Sequence, residues 1–138
     1  MHVAYDRLIG VTCLGGIAVT HLADLPDKIE EAPYMAVMFC GLIVASAGLA
    51  IVLASRRNPP IVWGLAGAVA ALPLAGYVLS RSVALPQLED HVGDWTNPAG
   101  VASLVFEAVL IAVSLTHVSR QPGPRRPDGQ VGDAMRSR

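Results

Sequence analysis

One polar stripe runs along the last apolar segment of this chain, and it carries the residues best placed to do chemistry. Glu107 lies near the middle of this segment, residues 95–119. On a helix turning 100° per residue, Ser103, Glu107, Ser114 and His117 fall within about 80° of one another. A carboxylate at membrane depth is costly, so it faces a protein interior or a watery cavity and often marks function. The stripe is therefore the first candidate site.

Three roles for Glu107 are open from the sequence. No basic residue is expected at its depth, so the carboxyl group is either protonated or hydrated through a cavity. A protonated group fits a structural role, in which it donates to the carbonyl near Val69 that Pro73 leaves free in the third segment. A hydrated group fits the handling of protons or cations, or contact with a ligand. The third role is a contact between subunits.

A second polar cluster gathers at the outer ends of the apolar segments. Its members are His21, Asp24, Tyr77, Arg81, His91 and Asp94. In one interpretation His21 and His91 ligate a metal ion or a haem. In the other interpretation, Arg81 pairs with a nearby carboxylate and the cluster is a ring of ion pairs that holds the loops. The candidate partners of Arg81 are Asp24, Glu89 and Asp94. Two histidines without a fixed ligand spacing are a weak metal signal, so the sequence favours ion pairs, with no metal and no cofactor.

Four apolar runs must position these residues. Spans are predicted at about 5–24, 33–55, 60–80 and 96–119, and each is close to the ~20 residues that cross the hydrocarbon core. A soluble bundle would show a polar face on every helix, and residues 41–54 and 61–78 show none. The prediction is an all-α fold, a four-helix transmembrane bundle formed by residues 1–119. Cys13 and Cys40 lie at different depths, so no disulfide is expected.

The charges between the runs predict a topology. Eight of the ten basic residues lie near the N-terminus, between the second and third runs, or after the fourth. Excess Arg and Lys marks the cytoplasmic side, so both termini are expected there, with acidic outer loops at 24–32 and 81–95. All five Tyr and Trp residues are expected near helix ends, where such rings prefer the membrane interface: Tyr5, Tyr34, Trp63, Tyr77 and Trp95.

The connections and the tail read as irregular structure. The first outer connection, residues 25–33, has proline at both ends and room for about one helical turn between them. Residues 55–60 predict a tight inner turn. Residues 120–138 are rich in Arg, Pro and Gly with little apolar surface to bury, so a disordered cytoplasmic tail is predicted.

The C-terminal half of the apolar region resembles a known group of proteins. The resemblance rests on residues 77–86 (YVLSRSVALP), residues 92–95 (VGDW), residues 98–104 (PAGVASL) and then Glu107. These stretches resemble small four-helix integral membrane proteins of actinobacteria, most of which have no assigned function. The resemblance implies that the corner around Arg81 and the carboxylate of Glu107 belong to one pattern.

Two functional classes follow from these features. No phosphate-binding loop, metalloprotease motif, nucleophile elbow or basic-aromatic surface for nucleic acid is present in the sequence. The favoured class is a non-enzymatic subunit or accessory factor in the plasma membrane of a bacterium, with the lipid bilayer and a homo-oligomer or larger membrane complex as partners. The alternative is a small proton- or cation-coupled transporter that uses Glu107. A redox subunit holding haem or quinone ranks third.

Overall fold

The computed structural model describes residues 2–55 and 60–120, and these residues form four long helices. They are α1 (His2–Glu31), α2 (Pro33–Ala54), α3 (Pro60–Ser82) and α4 (Pro98–Ser119), with a short 3₁₀ helix at Glu89–His91. All four long helices are long and apolar enough to cross a membrane. The prediction of an all-helical chain with four such helices is confirmed. The predicted turn at 55–60 and the predicted tail at 120–138 fall mainly on residues 56–59 and 121–138, which lie outside the described residues.

The first connection differs from the prediction. Residues 25–31 were expected to be mainly loop, but α1 continues through Pro26 to Glu31, and Ala32 alone separates it from α2. Proline removes one helical hydrogen bond, which frees the carbonyl of Leu22, and this residue is exposed at the surface of the helix. Beyond Pro26, an ion pair between Lys28 and Glu31, one turn away at 2.5 Å, supports the extension. Pro33 then starts α2 at a position where its missing N–H costs nothing.

The helices pack as two hairpins joined through α1 and α4. α1 packs along α2, α3 packs along α4, and α1 also packs on α4, whereas α2 and α3 touch each other little. We call the end where α1 and α3 finish the Arg81 end, and the opposite end the His117 end. Loose contact between α2 and α3 leaves the bundle less tightly closed on that side.

The apolar core fills the half of the bundle nearer the His117 end. Leu14, Ile17 and Leu110 are fully buried there, together with Leu53 at the end of α2. Trp63 is also part of this core with only 4 % of its surface exposed. Its expected position near a helix end is right, but its ring packs inside the bundle instead of facing the membrane interface.

Glycines set the closest approaches between helices. A Cβ atom added at Gly16 would lie 2.7 Å from ring atoms of Phe106, so α1 and α4 meet at this point. A Cβ atom at Gly67 would lie 3.0 Å from the Cβ atom of Ser114, so α3 and α4 meet there. Gly41 and Gly64, by contrast, face open space. Small residues therefore let α4 approach both α1 and α3.

The outer surface of the bundle is apolar. On α2, every seventh residue is strongly exposed, with Val37 at 73 %, Val44 at 72 % and Ile51 at 73 %. Exposed aliphatic side chains at this spacing form one continuous face of the helix. Such a face suits contact with lipid hydrocarbon. Cys13 is buried, Cys40 is exposed and both are free thiols, so the expectation of no disulfide between them is confirmed.

Candidate functional site

Glu107 is buried in the middle of the bundle. Only 1 % of its surface is exposed. Its Oε1 atom accepts a hydrogen bond from the Ser103 hydroxyl, one turn earlier on α4, at 2.5 Å. Its Oε2 atom has no hydrogen-bond partner among the described residues. A bond from this oxygen to the carbonyl near Val69, which one of the three roles requires, is therefore not formed, and the oxygen is buried without a partner.

A cavity of about 420 Å³ lies between Glu107 and the Arg81 end. All four helices and the loop before α4 contribute to its walls, and most of its surface is apolar. The volume falls within the ~300–1,000 Å³ range of small-molecule sites. Val69 and Pro73 line it, so the carbonyl that Pro73 deprives of a helical partner belongs to the same wall. Glu107 is thus one of the residues that line a cavity large enough to hold a ligand.

Arg81 lies at the other end of this cavity. Its side chain is buried, with 7 % of the residue exposed. The guanidinium carbon lies 4.8 Å from the centre of the Tyr77 ring, and one terminal nitrogen is 3.5 Å from the Ser80 hydroxyl. The Nε atom has no hydrogen-bond partner among the described residues. A guanidinium group that lies over an aromatic ring and has N–H donors without acceptors is suited to bind an anion.

The expected ion pairs of Arg81 are not formed. In the described part of the chain, no carboxylate lies within ion-pair distance of its guanidinium group. Asp24 lines the same cavity without pairing with Arg81. Asp94 does not line the cavity, because its carboxylate turns back to the amide and hydroxyl of Thr96, each at 3.3 Å. Loop geometry, which spacing alone does not reveal, thus removes a predicted partner.

The loop before α4 is tied to Arg81 and Tyr77. The amide of Gly93 donates to the carbonyl of Arg81 at 2.9 Å. The Tyr77 hydroxyl donates to the carbonyl of Trp95 at 3.1 Å. The Tyr77 ring lies against Gly100, where any side chain would collide with it. These contacts fix the tyrosine ring on which the guanidinium group rests.

The two outer histidines have separate partners. The Nδ1 atom of His21 lies 2.9 Å from the carbonyl of Ile17, and its ring packs edge-on against Phe39. The Nε2 atom of His91 lies 3.1 Å from the Lys28 ammonium group and 3.7 Å from Glu31. Among residues 2–55 and 60–120, no group of three or more metal-ligating side chains comes together. His91 belongs instead to a small charged group that joins the end of α1 to the loop.

The polar stripe of α4 divides into two parts. Ser103, Glu107 and Ser114 are all buried, in agreement with the inward orientation predicted for the stripe. Ser114 packs against Gly67, and its hydroxyl has no partner in the described structure. His117 lies at the far end, away from the cavity. Of the residues in the stripe, Ser103 and Glu107 line the cavity, and Ser114 and His117 do not.

His117 belongs to a separate cluster that the sequence did not predict. Its Nε2 atom lies 3.1 Å from the Asp6 carboxylate on α1. Its ring stacks on Trp63, with ring centres 4.1 Å apart and planes within 3° of parallel. Asp6, Trp63 and His117 are far apart in sequence, so their meeting depends on how α1, α3 and α4 align. The cluster connects three helices at the His117 end.

The most informative outcome is that two predicted groups share one cavity. Five of the six outer residues line it together with Ser103 and Glu107 of the polar stripe; they are His21, Asp24, Tyr77, Arg81 and His91. Sequence reasoning missed the side chains of Lys28 and Asn97, which also line it. No family model, curated protein or solved structure matches this chain.

Proposed function

We propose that this chain is a four-span membrane protein of the bacterial plasma membrane that binds a small molecule in its cavity. In this role it is a non-enzymatic accessory factor with both termini in the cytoplasm, so that the Arg81 end faces outward. One observation carries the proposal: Arg81 and Glu107 line the same cavity, both are buried, and each has a polar atom without a partner in the described structure.

Energetics support a bound molecule. A buried polar atom without a partner costs about 1–3 kcal/mol, and more when the group is charged. Arg81 lines the cavity, so an occupant with an accepting group near its guanidinium group offsets the cost at this residue. The mostly apolar walls add the hydrophobic contribution that most ligand sites depend on. Binding of a small molecule therefore explains why a buried guanidinium group without a carboxylate partner lies beside mostly apolar cavity walls.

The closed end of the cavity favours binding over passage. Leu14, Ala66 and Leu110 lie beyond the cavity-lining residues toward the His117 end, and each is fully buried. These side chains form a packed layer below Glu107. A molecule that reaches Glu107 from the Arg81 end therefore meets no continuing path in this conformation.

Filling the cavity tests the proposal. Gly76 lines the cavity, and a Cβ atom there would meet nothing within 4 Å, so Gly76→Leu adds volume without a clash at its root. Gly64 lies on the same helix with equally open space but outside the cavity, so Gly64→Leu is the matched control. Both changes favour the helix by up to about 1 kcal/mol, so neither should prevent folding.

The measurement is native mass spectrometry of the full chain released from a mild, uncharged detergent. We expect a co-purifying small molecule on the wild type and on Gly64→Leu, and its loss from Gly76→Leu. The same spectra report whether the chain is a monomer or an oligomer. A wild-type protein without any adduct, or an adduct retained equally by both variants, contradicts binding in this cavity.

The topology has its own test. In a chain carrying Cys13→Ala and Cys40→Ala, a single new thiol is placed at an exposed residue, with either Glu89→Cys or Ser119→Cys. A membrane-impermeant maleimide added to intact cells should label the first and spare the second until the cells are lysed. The reverse pattern contradicts cytoplasmic termini.

Proton- or cation-coupled transport is the second candidate, favoured by the unpartnered Oε2 atom of Glu107, a residue that lines the cavity. Transport requires a second conformation in which the layer at Leu110 opens toward the His117 end. The test is proton flux in proteoliposomes, comparing wild type with Glu107→Gln, which keeps the shape and removes the titrating group. Flux that disappears in the variant supports transport, and a wild type without flux leaves binding as the function.

A further inference from the structure

We propose that the cavity takes an amphiphile whose head group is an oxyanion, a carboxylate or a phosphate, held by Arg81. This inference rests on the proposed binding function and adds the class of ligand, its orientation and its route of entry. The three features below carry it: a buried guanidinium group without a carboxylate, an acidic far end, and an apolar opening on the side of the bundle.

The head-group position follows from Arg81. Its guanidinium group is buried, lines the cavity and has no carboxylate partner in the described structure. Lys28 also lines the cavity, but it is already paired with Glu31. Guanidinium groups bind carboxylate and phosphate oxygens through paired, charge-assisted hydrogen bonds. An oxyanion would therefore supply the hydrogen-bond acceptors and the negative charge that the Arg81 guanidinium group lacks.

The orientation of the ligand follows from the positions of the acidic side chains that line the cavity. Glu107 lies at the closed end, with one oxygen already accepting from Ser103. From the contact of Tyr77 with Gly100, the helical rise puts the Cα atoms of Arg81 and Glu107 roughly 16 Å apart along the bundle. An ionised Glu107 would repel an oxyanion, whereas the permanent positive charge of Arg81 attracts it in every protonation state of Glu107, so the head group belongs at Arg81. Asp24 is the one other acid in the lining, and it opposes the head group from α1.

The apolar body of the ligand follows from the walls and the side opening. Met38 on α2 and Leu72 on α3 line the cavity and are nevertheless 63 % and 70 % exposed. α2 and α3 touch each other little, so the cavity reaches the outside of the bundle between them. That surface is the one a lipid hydrocarbon layer would cover. A ligand that arrives through this opening needs an apolar chain, which a free inorganic or small organic anion lacks.

Three probes separate the head group from the chain. They are hexadecanoate, hexadecan-1-ol, which has the same chain without the charge, and acetate, which has the charge without the chain. Each is titrated into the full wild-type chain in an uncharged detergent after exchange of any co-purified molecule, and native mass spectrometry measures the occupied fraction. We expect hexadecanoate to bind about tenfold to a hundredfold more tightly than hexadecan-1-ol, and acetate to give no measurable occupancy.

Variants locate the head group. Arg81→Gln should lower hexadecanoate affinity to that of hexadecan-1-ol, and Arg81→Lys should restore part of it. Asp24→Asn should leave hexadecanoate binding unchanged or stronger, because it removes the opposing acid. Arg7→Gln, at the opposite end of the bundle, is the charge control and should change nothing. If Arg81→Gln does not fold, the comparison of the two long-chain probes on wild type and on Gly76→Leu decides.

The outcomes distinguish the ligand class from the binding function itself. Equal binding of both long-chain probes, each weakened by Gly76→Leu, overturns the oxyanion and leaves the cavity as a binding site. Acetate that binds as well as hexadecanoate overturns the amphiphile. A protein that binds none of the probes and carries no adduct removes the proposed function together with the inference.

Discussion

The contact of α1 with α4 at Gly16 can be tested with a single methyl group. In Gly16→Ala, the new Cβ atom would lie 2.7 Å from three ring atoms of Phe106. Carbon atoms pack best at about 3.5–4.0 Å. The ring is rigid, so the two helices must move apart by close to 1 Å at this point or the ring must leave its position. Either change disturbs the packing that brings Glu107 into the bundle.

The expected cost follows from two opposing effects. Overpacking of this kind destabilises a protein by about 1–3 kcal/mol. Replacing a helical glycine with alanine returns up to about 1 kcal/mol through helix propensity. The neighbouring Gly15 has nothing within 4 Å of its added Cβ atom. Gly15→Ala should therefore gain helix propensity without any overpacking. Gly16→Ala should therefore be less stable than Gly15→Ala by about 1–3 kcal/mol.

Unfolding in mixed micelles measures this difference. The helical circular dichroism of the purified chain is followed as dodecyl sulfate displaces an uncharged detergent, and the free energy of unfolding is compared among wild type, Gly15→Ala and Gly16→Ala. A second comparison uses Phe106→Ala, which removes the ring. In that background Gly16→Ala should lose most of its cost, since the two changes act through one contact.

One result would refute the reasoning. If Gly16→Ala and Gly15→Ala have the same stability in both backgrounds, α1 and α4 do not meet at Gly16. The alignment of these helices would then differ from the one described, and with it the depth assigned to Glu107.

Two further predictions concern the ends of the bundle. Gly93 has φ +83° and its amide donates to the Arg81 carbonyl. Because a side chain disfavours this backbone conformation, Gly93→Ala should lower the free energy of unfolding by about 1–2 kcal/mol in the same assay. Gly64→Ala is the control and should not lower it. At the other end, Asp6→Asn should destabilise by about 0.5–1.5 kcal/mol, because it weakens the contact with His117. This change should be largely silent in a His117→Gln background, and additive effects of the two would contradict the pairing.

The helices and the buried stripe could be predicted because both depend on local sequence. Length and hydropathy identify a membrane-length helix without reference to its neighbours. The 100° step then puts Ser103, Glu107 and Ser114 on one face, and the polar face of an otherwise apolar helix packs inward. Both predictions required only the geometry of a single helix.

The rest depends on how helices align with one another, which periodicity does not specify. Asp6 and Trp63 meet His117 because the starts of α1 and α3 lie level with the end of α4. Arg81 lacks the expected carboxylate because the loop turns Asp94 toward Thr96. The continuation of α1 was missed because Pro26 and a run of charges are typical of loops, although charges beyond the hydrocarbon core can equally well lie on a helix.

The distribution of packing explains why the cavity lies where it does. Toward the His117 end, Gly16 and Gly67 allow α4 to approach α1 and α3, and Leu14, Ile17 and Leu110 fill the space between them. Toward the Arg81 end, Gly41 and Gly76 leave open space on α2 and α3. Glu107 lies at the boundary between these halves, with a packed layer on one side and the cavity on the other. Movement of a ligand past Glu107 would require that layer to separate, whereas the proposed entry between α2 and α3 leaves the layer in place, so the binding proposal requires a smaller change of structure than the transport proposal.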